Sequence, residues 1–261
     1  MMPLLITTAT TIDAATRKAR VALLPVGAFE QHGPCLPLVT DTLIACTLGE
    51  QIAASYDVML LPPITISCSH EHTTWSGTVS ISHRTLTAVI DDVAASLRNS
   101  GIEKLVLVNG HGGNYFLANI VQEANAHHPV TMALFPLSAD WRQAREAADL
   151  TTNNHDDMHA GELETSILLH AHPEAVRAGW QDEDHISERP HLQIHGMSAY
   201  TPNGVIGKPS LATREKGKAV LASLVALFAD TLQALDALGQ PAREIEQHQN
   251  GLRRTARPPL P

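Results

Sequence analysis

Short apolar runs alternate along this chain with longer segments of helical spacing, and this alternation limits the fold more than any other sequence feature. The run Val21–Val26 reads VALLPV and is closed by Gly27. A run of this length, bounded by a turn residue, is typical of a buried strand. Further runs of the same character lie at 58–64, 105–108 and 130–135.

Apolar residues at helical spacing separate those runs, most clearly over 86–97. Strands that alternate with helices predict an α/β layered domain with a mostly parallel sheet. The other predicted helices cover 41–54, 115–126, 161–170 and 211–238. We expect a single domain over 1–239 and a flexible tail over 240–261, a stretch that contains four prolines and several arginines.

The composition is that of an ordinary globular protein, with 44% apolar and 17% charged residues among 261. The formal net charge of −9 argues against a nucleic-acid partner, which would need clustered lysine and arginine. No run approaches the roughly 20 apolar residues of a membrane span, so no membrane partner is expected. Three cysteines without CxxC spacing and a poor N-terminal signal sequence favour a cytoplasmic protein.

Polar clusters follow the first three predicted strands. Glu30 follows the first strand, the segment from Ser69 to His72 follows the second, and His111 follows the third. Ligands of parallel α/β sheets bind beyond the carboxyl ends of the strands. The sequence therefore predicts that these clusters share one edge of the sheet.

The first cluster lies in the segment GAFEQHGP, where Glu30 and His32 are two residues apart. In extended backbone both side chains leave on the same face, where they can reach one cation or two neighbouring cations. Asp41 follows at a predicted helix start. Taken alone, Asp41 is better explained as an N-cap, and His32 as an ordinary surface or hydrogen-bonded histidine.

The second cluster is the turn NGHGGN, which holds His111 between glycines. Glycines let the backbone turn sharply after a strand. The spacing matches neither GxGxxG nor GxxxxGK[ST], so a phosphate cradle is not indicated. His111 is a candidate metal ligand, and an exposed histidine in a tight turn is an equally good interpretation.

The third cluster, DDMHAGELETS at 156–166, surrounds His159 with acidic residues. His159 could move a proton, and Glu162 or Glu164 could bind a metal. Acidic residues at a solvated helix start explain the same pattern, because they complement the helix dipole. A serine hydrolase that uses Ser69 is a weak alternative, since the chain has no GxSxG motif.

Taken together, the carboxylates and imidazoles on one predicted edge suit Zn²⁺, Mn²⁺ or Fe²⁺. An aspartate shared by two such ions, about 3.5–4 Å apart, is a common way to build a hydrolytic centre.

With these residues in place, the sequence resembles the creatininase (creatinine amidohydrolase) family. Five segments carry the resemblance in family order: LPVGAFEQHGPCLPLVTDT at 24–42, SHEHTTWSGTVS at 69–80, LVLVNGHGGN at 105–114, HAGELETS at 159–166 and GVIGKPSLATREKG at 204–217. The resemblance implies a three-layer α/β/α sandwich, two divalent metal ions and ring-like homo-oligomers, often hexamers.

Residue by residue, the resemblance implies that His159 is the catalytic acid/base and that Asp41 bridges the two ions. Creatininase itself has a glutamate two residues after the turn histidine, where this chain has Gly113. We assign that missing ligand to Glu164, with Glu162 as the second choice. The remaining implied metal ligands are Glu30, His32 and His111. The candidate substrate-binding residues are Ser69, Glu71, His72 and Trp75.

The expected function is hydrolysis of an amide-type C–N bond by a hydroxide that bridges the two ions, with Zn²⁺ preferred over Mn²⁺ or Fe²⁺. The substrate would be a cyclic amide, a formamide or a peptide-like small molecule. The form NGHGGN is similar to relatives that deformylate pyrimidine intermediates or trim modified peptides, which argues against creatinine itself. The alternative is a non-catalytic metal- or ligand-binding protein of the same fold.

Overall fold

The part of the protein that the structure describes contains a four-stranded, wholly parallel sheet. The structure, a computed structural model, describes residues 9–128 and 131–237. The strands run in the order β2-β1-β3-β4, and each neighbouring pair is parallel. Their bounds are β1 Val21–Val26, β2 Met59–Leu60, β3 Lys104–Asn109 and β4 Met132–Phe135.

Eight helices connect and cover these strands within the described residues. A 3-10 turn, His70–His72, follows β2. The helices are α1 Thr11–Arg17, α2 Thr40–Ser55, α3 His83–Asn99, α4 Leu117–His127, α5 Ser138–Ala147, α6 Glu162–Ala171, α7 Leu192–His195 and α8 Arg214–Ala237.

Helices pack on both faces of the sheet. Alternate residues of a strand point to opposite faces, so the same strands contribute to two cores. Leu23 and Val106 face a core that contains residues of α2, α5, α6 and α8. Leu24 and Leu107 face a second core that contains residues of α3 and α4. All six residues of β1 are buried, as expected for a strand covered on both sides. The predicted α/β/α sandwich is confirmed.

Two glycines bring the start of α2 close to the ends of β1 and β3. A Cβ atom at Gly27 would lie 2.4 Å from the Thr42 Cα, and one at Gly110 would lie 2.3 Å from the Asp41 carbonyl oxygen. No larger residue fits either position unless the helix moves away. Asp41 is thereby held against the edge of the sheet where the strands end.

The predicted strand at 58–64 is much shorter than expected, because only Met59–Leu60 pairs with β1. Pro62 and Pro63 follow directly, and proline has no N–H group to donate to the ladder. An isolated parallel bridge between Val26 and Ile64 continues the contact further on. Helix α5 lies where no helix was expected.

Helix α8 contains a stretch, Arg214–Asp236, that is long and apolar enough to cross a membrane by length and composition alone. Its Val220, Leu224 and Phe228 are wholly buried in the core against the sheet. A core helix passes the same test of composition, so this helix is weak evidence for a span. The predicted tail at 240–261 lies outside the described residues, and the single domain over 1–239 stays a prediction.

Candidate metal centre

Glu30, Asp41 and His111 meet at the carboxyl edge of the sheet. Glu30 comes after β1, Asp41 lies in the first turn of α2, and His111 follows β3. The His111 Nδ1 atom lies 3.3 Å from Glu30 Oε1 and 3.2 Å from Asp41 Oδ2. All three side chains are at least 95% buried. Three separate stretches of chain therefore place their donor atoms around one point.

A second group of donor atoms lies on the other side of the Asp41 carboxylate. The His32 Nε2 atom is 3.1 Å from Asp41 Oδ1 and 3.8 Å from Glu164 Oε2. The two Asp41 oxygens thus face different partners, Oδ2 toward His111 and Oδ1 toward His32. Carboxylate and imidazole donors clustered in this way are suited to divalent transition-metal ions.

Hydrogen bonds leave several carboxylate oxygens of the cluster unused. Both oxygens of Glu30 and the Oδ2 atom of Asp41 are buried and have no hydrogen-bond partner among the described residues. A buried carboxylate without partners is costly unless a cation or a proton neutralises it. The donor set therefore fits bound cations.

The backbone orients the imidazoles of this cluster. His32 Nδ1 lies 3.1 Å from the Glu30 carbonyl oxygen, and His111 Nε2 lies 2.9 Å from the Cys68 carbonyl oxygen. A carbonyl oxygen only accepts, so each of these nitrogens carries the hydrogen. The opposite nitrogen of each ring then points at the carboxylates, the arrangement that metal-binding histidines usually have.

Burial governs the proton affinity of the two glutamates. It raises the pKa of Glu30 to about 8 and that of Glu164 to about 7, although neighbouring histidines oppose the shift. The carboxylates repel one another as well, since the Asp41 charge adds to both increases. Without a cation, this cluster retains protons at neutral pH.

The pKa values of His32, His111 and Asp41 shift in the directions expected of close ion pairs. Burial by itself lowers the pKa of both histidines, but Asp41 and the glutamates raise it to about 9 for His32 and about 10 for His111. Burial alone would raise the pKa of Asp41, yet these two imidazoles hold it well below its ordinary value.

The capping interpretation of Asp41 is wrong. The N-cap of α2 is Val39, and this helix start has no side-chain capping hydrogen bond. Asp41 is in the first turn, with its carboxylate directed at His32 and His111. The sequence alone could not reveal this role, because a capping aspartate and a first-turn metal ligand occupy similar positions at a predicted helix start.

Glu162 and Glu164 lie in different environments. Glu162 is wholly buried but faces away from the cluster, accepting hydrogen bonds from Lys216 Nζ at 2.5 Å and Thr152 Oγ1 at 2.6 Å. Glu164 instead has an oxygen near His32 and accepts from the Ala160 N–H at 2.6 Å. The contacts favour Glu164 as the ligand, since Glu162 already has partners.

His159 lies beside both groups of donor atoms. Its Nε2 atom is 2.7 Å from the Gln31 carbonyl oxygen and therefore carries the hydrogen, while Nδ1 is 3.8 Å from Glu30 Oε1. Burial, together with the charges of His32 and His72, keeps the pKa of His159 well below its ordinary value. The ring is thus neutral, with a free Nδ1 lone pair on the cavity side.

The Gln31 side chain determines which ring nitrogen of His72 carries the hydrogen. Its Oε1 accepts from the Gly33 N–H at 3.0 Å, so its amide nitrogen is the group that lies 2.9 Å from His72 Nδ1. His72 Nε2 then carries the hydrogen and points at Glu30 Oε1, 3.4 Å away. Burial lowers the pKa of His72 to about 3. The His72 ring thus directs an N–H group toward Glu30 without forming a hydrogen bond to it.

A cavity of about 290 Å³ opens onto the cluster. Glu71 and His72 line it, but Ser69 and Trp75 do not, so two of the four predicted substrate-binding residues face the cavity. Ser69 is wholly buried, and its hydroxyl forms no hydrogen bond with any described histidine. That arrangement gives Ser69 no histidine as a general base, contrary to the usual serine hydrolase.

Sequence reasoning missed Gln31 and Arg145. Gln31 stands between two predicted ligands, but a glutamine there has no pattern that reveals its contacts. Arg145 lines the cavity from α5 and pairs with Asp157 at 2.8 Å. The sequence SADWRQAREA contains few apolar residues, so a search for apolar patterns did not detect the helix or its arginine.

Curated relatives cover most of this chain. The mycofactocin precursor peptide peptidase of Mycobacterium ulcerans (strain Agy99) is 35% identical over 216 residues, which are 78% of this chain and 80% of that protein. The creatinine amidohydrolase of Pseudomonas putida is 25% identical over 235 residues, 82% of this chain and 88% of that protein.

Solved structures show the same fold. A creatinine amidohydrolase (creatininase) has a TM-score of 0.74 and 25% identity, over 87% of this chain and 95% of that one. A creatininase variant described as Zn–Zn type has a TM-score of 0.73 and 23% identity, over 88% and 97%. A creatininase described with Mn has a TM-score of 0.74 and 23% identity, over 87% and 96%.

The family model described as creatinine amidohydrolase matches residues 6–232, which include every residue of the candidate centre. The match covers most of the chain, and the curated relatives agree with it. The chain therefore belongs to the creatininase family.

Proposed function

We propose that this protein is a metal-dependent amidohydrolase that holds two divalent ions, one on each side of Asp41. The observation that carries the proposal is the division of the Asp41 carboxylate between two groups of donor atoms, with Oδ2 near His111 and Oδ1 near His32. Unpartnered oxygens on Glu30 support it, because no hydrogen bond among the described residues compensates for their burial.

Glu30, Asp41 and His111 would hold one ion, and His32, Asp41 and Glu164 the other. When bound, such ions supply an activated water and a Lewis acid for the substrate carbonyl. We prefer Zn²⁺, with Mn²⁺ or Fe²⁺ as alternatives, since imidazole and carboxylate donors suit all three. Creatininases with Zn and with Mn are among the structural relatives.

His159 is the residue we assign to proton transfer. Its Nδ1 lone pair faces the cavity, and the hydrogen bond from Nε2 to the Gln31 carbonyl prevents the ring from turning over. His159 Nδ1 takes the proton released by the attacking water and delivers it to the departing nitrogen. An amine leaves poorly without that proton, and such general acid–base help is worth roughly 10²–10⁴ in rate.

The substrate we favour is a peptide-like amide. The mycofactocin precursor peptide peptidase, at 35% identity, is named for action on a peptide. Gly113 replaces the glutamate that the family resemblance leads one to expect in creatininase itself. A cytoplasmic location and a homo-oligomeric state remain predictions beside this proposal.

The test is hydrolysis by His159→Ala compared with the wild-type protein, both loaded with Zn²⁺ or Mn²⁺, on formamides, lactams and short peptides. We expect the wild type to cleave at least one amide and to lose that activity with a chelator. His159→Ala should keep two ions per chain while its kcat falls about 10²–10⁴-fold. His155→Ala is the matched control, because His155 is exposed and pairs only with Glu188 among the described residues.

Three outcomes would count against the proposal. Retained turnover in His159→Ala would remove the assigned role, and loss of an ion in that variant would make His159 a ligand. A metal-loaded wild type that binds these amides but cleaves none would favour the non-catalytic alternative.

A further inference from the structure

A second cavity, which we call the side cavity, adjoins the metal-centre cavity. It is larger, about 660 Å³ against about 290 Å³. Glu71, Gly113 and Tyr115 line both cavities. The side cavity is otherwise formed by the loop before and after His70, by the start of α4, and by residues 192–196 around α7.

The boundary between the two cavities is made of Glu71, Gly113 and Tyr115. Gly113 has no side chain there, and a Cβ atom at this position would lie 2.3 Å from Glu71 Oε1. The Glu71 carboxylate therefore lies directly over the glycine. Tyr115, the third shared residue, is 60% exposed.

The side cavity has an apolar wall. Leu192 is buried in it, whereas Ile194 is 76% exposed, a large fraction for an isoleucine beside an enzyme site. Phe116 adds an aromatic ring, with its centroid 6.0 Å from that of His83. Exposed apolar surface of this kind, next to polar groups, commonly marks a binding site.

Charge limits what the side cavity can hold. No lysine or arginine is among its lining residues, and Glu71 at the boundary is its only carboxylate. Its nitrogen donors are the imidazoles of His70, His83 and His195 and the amide of Gln193, so no permanently charged cation faces it. An uncharged apolar group needs no charged partner and gains from the removal of its surface from water.

We propose that the side cavity binds the large apolar side chain of a substrate whose amide bond lies at the metal centre. This inference rests on the proposed amidohydrolase function and adds a specificity subsite to it. Its basis is the sharing of Glu71, Gly113 and Tyr115 by two cavities of different character. One is lined by candidate metal ligands, and the other has an apolar wall of Phe116, Leu192 and Ile194 among polar residues.

The experiment compares tri-alanine with the three peptides that place one phenylalanine at each position in turn. One placement should raise kcat/KM of the metal-loaded wild type about ten-fold or more over tri-alanine. In Ile194→Asn that ratio should fall toward one, because the apolar wall then carries an amide. Ile186→Asn should keep the wild-type ratio, since Ile186 is also exposed but lines neither cavity.

A binding measurement tests the subsite independently of turnover. By calorimetry, N-acetylphenylalaninamide should bind the metal-loaded wild type more tightly than N-acetylalaninamide, and Ile194→Asn should abolish the difference. If no peptide is cleaved but this difference is present, the proposed hydrolysis fails and the subsite stands. Equal binding of both ligands, or an unchanged ratio in Ile194→Asn, overturns the subsite.

A change of oligomeric mass in Ile194→Asn without loss of selectivity would show that the wall is a subunit contact instead.

Discussion

The carboxylates at the centre of this protein are held without the partners that buried acids normally have. Glu30 is wholly buried, and neither of its oxygens accepts a hydrogen bond among the described residues. His32, His111 and His159 each tie one ring nitrogen to a backbone carbonyl. The side-chain atoms that remain free all face the same small volume, which is the arrangement a cation site requires.

Metal binding should release protons and strengthen as the pH rises. Without metal, the pKa is about 9 for His32, about 10 for His111 and about 8 for Glu30, so these groups hold protons at neutral pH. Ligands must lose their protons to bind an ion, so affinity falls as the pH falls. Calorimetry of Zn²⁺ binding in two buffers of different ionisation enthalpy measures the release. An affinity independent of pH between about 6 and 8 would contradict it.

The sequence did not decide between Glu162 and Glu164 as the last metal ligand. Both lie in the first turn of α6, two residues apart. Lys216 and Thr152 both donate hydrogen bonds to the Glu162 carboxylate. Tertiary contacts of this kind have no local pattern, whereas the positions of Glu30 and His111 after strands were readable from the sequence.

At the scale of elements, a buried ion pair positions the start of α6. Arg145 of α5 donates to Asp157 Oδ2 at 2.8 Å, and the same carboxylate accepts from the N–H groups of Glu162 at 2.6 Å and Leu163 at 3.0 Å. A Cβ atom at Gly161 would lie 1.6 Å from Asp157 Oδ1, so this turn needs glycine. The segment that is fixed in this way carries His159 and Glu164.

Arg145→Met should lower the free energy of unfolding by about 3 kcal/mol, because Asp157 would keep a buried charge without its partner. Chemical denaturation of the two proteins measures the difference. Arg142→Met, an exposed position on the same helix, should change it by less than about 0.5 kcal/mol. Equal effects of the two substitutions would show that the ion pair does not stabilise the fold.

Elements rich in apolar residues were predictable, and polar or interrupted ones were not. Strand β1 and helix α3 follow from their sequences, since core burial and pattern coincide there. Strand β2 was overestimated because its apolar run continues into Pro62 and Pro63. Helix α5 was missed because only Ala144 and Arg145 among its residues are buried.

At the scale of the whole molecule, bound ions would connect segments that are far apart in the sequence. The donor atoms come from the end of β1, the start of α2, the turn after β3 and helix α6. An ion that binds only the folded state stabilises it by about 4 kcal/mol at 1,000 times its dissociation constant.

The melting temperature should therefore rise by about 10 °C when Zn²⁺ is added to metal-free protein. Calorimetric or fluorescence melting curves measure the shift. Asp41→Asn should show a much smaller shift, because Asp41 serves both groups of donors, while Asp91→Asn on the exposed face of α3 should behave as the wild type. Equal shifts in all three proteins would place the ions elsewhere.

The homo-oligomer that the family resemblance implies also belongs to this scale and stays a prediction. Sedimentation velocity of the metal-loaded protein should give a multiple of the chain mass, with six chains as the expected number. A monomer at micromolar concentration would contradict it.

Anomalous diffraction from crystals of the Zn²⁺-loaded protein, recorded at the zinc absorption edge, is the most direct measurement of the central claim. The expected map has two peaks per chain, one beside Asp41 Oδ2 with Glu30 and His111, and one beside Asp41 Oδ1 with His32 and Glu164. A single peak, or peaks that do not touch Asp41, would contradict the two-ion centre.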